Sequence, residues 1–380
     1  MRKKVLIITQ IYEPGFKGGG PIQSIKNLVE NLSDELDIYI LTSDRDLGDT
    51  TPYPGIKRNE WVEYQGAKVY YSVDSYKWIY KLRDIIQEGN FDYIYLNSFF
   101  SLKYSIYPVM LKKIGLLPNN KFIIAPRGEF SPGALKLKRN KKRMFIIFSN
   151  LARLHHNMSW HATSEIEKAH IYNNIAPLSI KIISNLTKNY THVFPNKRIK
   201  KQGELNIIFL SRIHPKKNLK YAIKILKKIK KGQITFNVYG PIEDQEYWST
   251  CLDEVRLLPS NITFVYHGEV ENKEVSKLFT NHHLFLFPTF GENFGHVIAE
   301  SLLNGCLTLT SDETPWNNMA DFGAGADFPL KNESEFVDYI NTMVDMDESL
   351  FEEKSKNAMN YARKILNTES VKKDYINLFS

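Results

Sequence analysis

Strand-length runs rich in apolar residues punctuate the first half of the chain, at Lys4 to Ile11, Asp37 to Thr42, Ala67 to Val73, Tyr93 to Asn97, Phe122 to Ala125, Ser159 to Ala162 and Ile180 to Ile183. Between most of them apolar positions recur at helical spacing, and this alternation implies a parallel, doubly wound α/β sheet. The pattern lapses at Lys188 to Glu204, KNYTHVFPNKRIKKQGE, where charge rises, so the linker is placed there. A second series follows at Leu205 to Leu210, Ile234 to Tyr239, Ile262 to Tyr266, Leu284 to Phe287 and Leu307 to Thr310. Ser349 to Ser380 is charged and helical in pattern, without strands. The expected organisation is two Rossmann-like domains, residues 1–190 and 191–360, facing each other across a cleft, with 361–380 as a closing helical segment. Ligands of open parallel sheets bind beyond the carboxyl ends of the strands, so chemistry is sought in the loops that leave them.

The loop after Leu284 to Phe287 is the most informative. In PTFGENFGHVIAESLLNG, Pro288 to Gly305, Phe294, Val297, Ile298 and Leu302 recur at helical spacing, so the unit reads strand, tight loop, helix. Gly291 and Gly295 remove side chains at the turn, which lets the first helical N–H groups face a ligand, and the helix dipole favours an anion such as phosphate there. Glu292 and Glu300 flank the expected helix start. If both lie on the helix, eight residues separate them by roughly 12 Å, beyond the roughly 5 to 9.5 Å of a two-carboxylate hydrolase. Such a pair suits hydroxyls at the two ends of an elongated ligand with a charged middle, the layout of a nucleotide sugar. The plainer alternative is a favourable first-turn acid and a solvated one. After the first strand, YEPGFKGGGP carries Gly18, Gly19 and Gly20 before a helix expected from about Pro21, and it reads as a phosphate-approach loop or a surface loop.

Composition narrows the class. At 380 residues, with 43% hydrophobic content, the chain can build two cores. Cys251 and Cys306 are far apart and outside metal-ligand spacings, which points to a reducing compartment. The apolar run after MRKK is too short for a signal peptide and reads as a first strand, and no window reaches the roughly 18 apolar residues of a spanning helix. The net charge of +8 is unevenly placed: Lys103 to Arg143 holds eleven Lys or Arg and one acid, Glu129. Lys136, Lys138, Arg139, Lys141, Lys142 and Arg143 form one block, followed by the apolar MFIIFSNLARL. This block reads either as a solvated face or as a helix resting on anionic lipid. No RNA-binding signature or zinc spacing accompanies it, so nucleic acid is not an expected partner. Asp44 and Asp46 superficially form a metal-binding Asp-x-Asp, and His155-His156 and His282-His283 are adjacent pairs unable to share one face, so no metal is expected.

The stretch Glu292 to Gly305 resembles the E-x7-E signature of family 4 glycosyltransferases of GT-B fold, usually E-G-F-G-x3-x-E-A-x3-G. Glu292, Phe294, Gly295, Glu300 and Gly305 are in register, while Asn293 replaces Gly, Ser301 replaces Ala and Leu307 stands where Pro is common. The resemblance implies that Glu292 holds donor-sugar hydroxyls, that the loop around Asn293, Phe294 and Gly295 approaches sugar and phosphate, and that Glu300 holds the ribose diol. SRIHPKKN is similar to the family's G-R-x4-K-G, so Arg212 and Lys217 are expected to neutralise the donor diphosphate, with Ser211 and Asn218 in place of glycines. Fixed cations aimed at a departing diphosphate stabilise its developing charge. Gly19 and Gly20 are expected to meet the diphosphate or the acceptor. Gly240 and His267 match strand ends that admit the base, or are ordinary turns, and Asn185 matches the Asn of a Pro-Asn-Gly element.

APRGEF resembles the branch that makes bacterial surface polysaccharides (capsule, O-antigen, exopolysaccharide), as do YEPGFKGGGP, TSDRDLGD and SDETPW. Arg127 then stands where a His would face the acceptor hydroxyl, and it is too basic to act as a general base. Glu129 is the nearest group for proton handling, or else caps the following helix. The implied activity is retaining transfer of a hexosyl group, by front-face substitution, from a nucleotide-diphosphate sugar, UDP- before GDP-, to a hydroxyl of a lipid-linked saccharide. No cofactor or metal is implied, and the expected place is the cytoplasm, peripheral to the inner face of the plasma membrane. The closing helix is expected to return to the first domain. The rivals are a GT-B nucleotide-sugar epimerase and a basic polyanion-binding protein.

Overall fold

The computed structural model describes residues 2–73, 77–187 and 198–380. The chain divides into one unit of Met1–Asn189 with Thr368–Ser380, and a second of Tyr190–Asn367. Most of the expected linker, residues 188–197, lies outside the described residues.

The first unit runs β1 (Lys3–Ile8), α1 (Gly20–Leu32), β2 (Leu36–Ser43), β3 (Trp61–Tyr64), β4 (Ala67–Ser72), α2 (Trp78–Gly89), β5 (Tyr93–Leu96), α3 (Tyr107–Lys113), β6 (Lys121–Ile124), α4 (Pro132–Lys136), α5 (Arg139–Leu151), β7 (Ser159–Ala162), α6 (Glu165–Tyr172) and β8 (Ser179–Ile182). Its sheet has the order β3-β4-β2-β1-β5-β6-β7-β8. The run of strands therefore reverses between β1 and β5, which is where such sheets bind ligands. Alternate residues of the apolar runs fall into two cores: Leu6 and Ile8 join one cluster and Val5 and Ile7 the other. Burial on both faces explains why these strands read as unbroken apolar runs.

One strand departs from the all-parallel expectation. β3 pairs antiparallel with β4, Tyr64 opposite Ala67. The two connecting residues, Gln65 (φ 48) and Gly66 (φ 90), both take positive φ, as a type I′ hairpin turn demands.

The second unit runs β9 (Glu204–Leu210), α7 (Leu219–Leu226), β10 (Gln233–Tyr239), α8 (Gln245–Val255), β11 (Ile262–Gly268), α9 (Val275–Asn281), β12 (Leu284–Phe287), α10 (His296–Leu303), β13 (Leu307–Ser311), β14 (Gly325–Phe328), α11 (Glu333–Asp345) and α12 (Glu348–Leu366). Its parallel sheet has the order β11-β10-β9-β12-β13-β14, with the reversal between β9 and β12. The edge strand β14 was not expected from the sequence. It is four residues long and starts at Gly325, where an added Cβ would lie 2.0 Å from the Thr308 carbonyl oxygen.

The last helix, α13 (Thr368–Leu378), returns to the first unit. Val371, Tyr375, Leu378 and Phe379 enter the core that also takes Ile25, Leu28 and Val29 of α1. The return begins at Thr368 rather than near residue 361, because α12 stays with the second unit as far as Leu366.

Candidate active site

The loops leaving β9 and β12, the two strands at the reversal of the second sheet, are fastened to each other. The Lys216 carbonyl accepts from Phe290 N (2.9 Å) and Thr289 Oγ1 (3.1 Å), and Asn218 Nδ2 donates to the Pro288 carbonyl at 2.9 Å. Asn218 has φ 62, the left-handed conformation that the glycine of the family pattern would supply and that Asn tolerates. Ser311 Oγ donates to the Thr289 carbonyl, and Glu292 N to that of Glu313. Backbone and buried hydroxyls therefore hold the loop before any ligand arrives.

That bracing brings Lys217 and Glu292 together. Lys217 Nζ lies 2.5 Å from Glu292 Oε1, with the two side chains 15% and 14% exposed. Thr289 Oγ1 lies 3.3 Å from the same oxygen. A third cation, Lys216, belongs to this group: desolvation lowers its pKa, Glu292 opposes that shift, and Lys217 and Arg212 add to it. Sequence reasoning passed over Lys216, although its place beside Lys217 was the available signal. Arg212 Nη1 pairs with Glu243 at 2.9 Å in a half-exposed bridge. Such a bridge is worth only about 0 to 1 kcal/mol, so the guanidinium is easily handed to a competing anion.

Helix α10 starts at His296, with Gly295 (φ 79) as its N-cap. Glu292 is therefore in the braced loop and not on the helix, so the 12 Å span estimated for eight helical residues does not apply. Glu300 lies half-buried on α10. The N–H groups of Phe294, Gly295 and Val297 have no acceptor among the described residues, as an anion site at a helix mouth requires. The Phe294 ring is buried 6.0 Å from that of Trp316, whose Nε1 donates to the Phe294 carbonyl at 2.6 Å. Asn293 is not among the residues with positive φ, so that position makes no demand for glycine.

The two expected base contacts differ in their surroundings. Gly240 does not make room for a ligand: a Cβ there would lie 1.9 Å from the Ser211 carbonyl oxygen, so the missing side chain serves the approach of β10 to β9. His267 sits where the β10–β11 register shifts, and its exposed ring stacks on Tyr239 (centroids 4.3 Å apart) with Nε2 against Asn237 Oδ1 at 2.8 Å. That leaves one ring face outward.

In the first unit, Gly19 (φ 60) caps α1, and a Cβ there would meet nothing within 4 Å. Gly20 is the first helical residue. Asp46 accepts from Phe16 N (2.8 Å) and Lys17 N (3.1 Å), and buried Asp44 pairs with Arg45. The two aspartates thus serve the loop and an ion pair.

Arg127, expected to face an acceptor, turns inward. Its Nε, Nη1 and Nη2 donate to Asn97 (2.7 Å), Asn185 (2.5 Å) and the Tyr95 hydroxyl (2.8 Å). Burial alone would lower its pKa, but Tyr95, Tyr375 and Glu167 raise it overall. The Oδ1 of Asn185, expected to meet the donor, is thereby occupied by Arg127. Glu129 does not cap the following helix, a role taken by Ser131. It accepts instead from Ser98 Oγ, Phe99 N and Phe100 N, and burial raises its pKa against those bonds. In the basic block, Lys136, Lys138, Arg139, Lys141 and Arg143 are exposed. Lys142 is not: its ammonium donates to the Ala134 carbonyl at 2.7 Å and lies over the Phe100 ring.

Comparison with known proteins agrees with this geometry. Residues 192–365 match the family described as glycosyl transferases group 1. Over 99% of both chains, the fold superposes on Anabaena Alr3699/HepE, solved in complex with UDP and glucose, at 16% identity and a TM-score of 0.70. It also superposes on WaaG, a glycosyltransferase involved in lipopolysaccharide biosynthesis, at 14% identity and a TM-score of 0.65, again over 99% of both. A 122-residue stretch is 28% identical to a 41.2 kDa protein in the cps region of Klebsiella pneumoniae, covering 30% of this chain and 32% of that one. Two Rossmann-like units that superpose on these structures give the chain the GT-B fold. The family match falls within the second unit and spans somewhat under half of the chain.

Proposed function

We propose that the protein transfers a hexosyl group, with retention, from a UDP-sugar to a hydroxyl of a lipid-linked saccharide during surface-polysaccharide assembly. The observation that carries this reading is the 2.5 Å pair of Lys217 and Glu292 beside Arg212 and the N–H groups of Phe294, Gly295 and Val297 at the mouth of α10. An acceptor carboxylate next to two cations suits a sugar whose hydroxyls are held while its diphosphate leaves. Glu292 accepts from the sugar hydroxyls and Glu300 from the ribose. Lys217, together with Arg212 released from Glu243, meets the charge that gathers on the diphosphate, and groups fixed in advance for that charge favour the transition state over the ground state. The bond from the anomeric carbon to diphosphate oxygen breaks as the acceptor oxygen attacks the same face, and the acceptor proton passes to the departing diphosphate. The charges supplied by Arg212 and Lys217 make the reading one without a metal or cofactor. UDP as the nucleotide is supported by the HepE complex. The exposed cations of the 136–143 block support peripheral association with an anionic membrane face, and no described helix is long and apolar enough to cross a membrane.

The test is nucleotide release from a panel of UDP- and GDP-sugars, with and without a lipid-linked saccharide acceptor. UDP release that depends on the acceptor supports the reading, and epimerised donor with no transfer contradicts it. Glu292→Ala, Lys217→Ala and Arg212→Ala should each lower kcat by about 100-fold or more with unchanged circular dichroism, as loss of a preorganised charge does. Undiminished turnover in all three would remove the site assignment.

A further inference from the structure

Helix α5 has large apolar residues on two opposite sides. Successive residues turn by about 100°, so Lys142, Phe145, Ile146 and Ser149 fall on one side, and these are buried or half-buried. Met144, Ile147, Phe148 and Leu151 fall opposite, and they are 72%, 51%, 55% and 80% exposed. A helix on a protein surface ordinarily turns polar residues to that side. A contiguous row of large apolar side chains there marks a binding surface. Arg139 and Arg143 flank the row on one side and Lys141 on the other, all exposed. Lys113 at the end of α3 donates to the Arg153 carbonyl just past α5, which brings exposed Ile114 to the same edge of the unit.

We infer that the outer face of α5 inserts its apolar row into the boundary between headgroups and acyl chains of an anionic bilayer, while the flanking cations meet lipid phosphates. This deepens the membrane part of the reading above and rests on it. A second copy of the chain is the less suitable occupant: two such faces apposed would set Arg139, Arg143 and Lys141 against their own equivalents, and like charges repel. A bilayer supplies both the apolar interior and the opposite charge. Insertion also differs from adsorption by charge alone, because apolar burial persists at high salt whereas exposed charges are screened. The Debye length falls from about 10 Å at 0.1 M to about 3 Å at 1 M.

The experiment is flotation of the full-length protein with vesicles of phosphatidylcholine, alone or mixed with phosphatidylglycerol, at roughly 0.1 M and roughly 1 M salt. Two variants accompany it: Ile147→Ser with Phe148→Ser and Leu151→Ser, and Lys138→Gln with Arg139→Gln and Lys141→Gln. The protein should bind phosphatidylglycerol vesicles and keep part of that binding at high salt. The serine variant should lose about tenfold or more in partitioning at both salts, since each side chain withdraws a buried apolar surface. The glutamine variant should lose chiefly the low-salt part. UDP affinity should be unchanged in both variants, which separates this inference from the transferase reading. Vesicle binding by the serine variant equal to that of the unaltered protein overturns the inference. So does a dimer, seen by light scattering, that the serine substitutions dissolve without altering vesicle binding.

Discussion

Gly240 distinguishes a glycine needed by the fold from one needed by a ligand. In Gly240→Ala the new Cβ would lie 1.9 Å from the Ser211 carbonyl oxygen and 2.6 Å from its carbon, both backbone atoms that no side-chain rotation can move. The φ of 131° adds strain for any residue with a Cβ, of order 1 to 3 kcal/mol. Relief requires the ends of β9 and β10 to part, which stretches Ser211 N to the Tyr239 carbonyl (3.0 Å) and Gly240 N to the Gly268 carbonyl (2.7 Å). At about 1 kcal/mol net per hydrogen bond, the total is about 3 to 5 kcal/mol, a large part of the roughly 5 to 15 kcal/mol that holds a domain. Urea unfolding of the full chain should show the second unit's midpoint lowered by about 1 to 2 M, for a slope of about 2 to 3 kcal/mol per M. Gly268→Ala is the control: it has φ 80 and nothing within 4 Å of a Cβ, so it should shift the midpoint much less. An unshifted Gly240→Ala midpoint accompanied by weakened UDP binding would refute the packing argument and restore this glycine to a base-binding role.

Acid should loosen both units through buried histidines. Burial depresses the pKa of His155 to about 4, His161 to about 3 and His283 to about 4. The unfolded chain takes up these protons first, so stability present above about pH 6.5 is lost as pH falls toward 4, by about 2 kcal/mol per histidine at pH 5. Unfolding midpoints at pH 7.5 and pH 5 measure this, and a pH slope unaltered by His161→Gln would contradict it. Arg127→Lys removes the fork that joins Tyr95, Asn97 and Asn185, so the first unit should lose about 2 to 4 kcal/mol while UDP affinity holds. Full stability with loss of transfer alone would instead return Arg127 to the acceptor.

The order of elements was legible in the sequence wherever burial was two-sided or periodic. Val5 to Ile8 or Leu284 to Phe287 cannot stay in water, and their spacing leaves few alternatives to a buried strand. β3 escaped notice because its four residues are only partly buried and its turn is Gln-Gly rather than a stronger hairpin pair. β14 escaped because four residues at a sheet edge carry little pattern. The pairing of acids and cations around Glu292 was foreseeable from residue type and position at strand ends, since a phosphate site needs cations and free amides wherever it is built.

Which of those residues remain available to a ligand was decided by tertiary structure. Arg127 and Glu129 stand in the same loop with the same apparent promise as Arg212, yet their partners come from β5, from Asn185 past β8 and from α13, far away in sequence. The same holds for Gly240, whose emptiness is filled by a neighbouring strand, and for Lys142, whose ammonium is drawn back to Ala134. A side chain's chemistry is local and can be read in order along the chain. Its commitments depend on which donors and acceptors folding brings within 3 Å or so, and only the assembled sheet determines that.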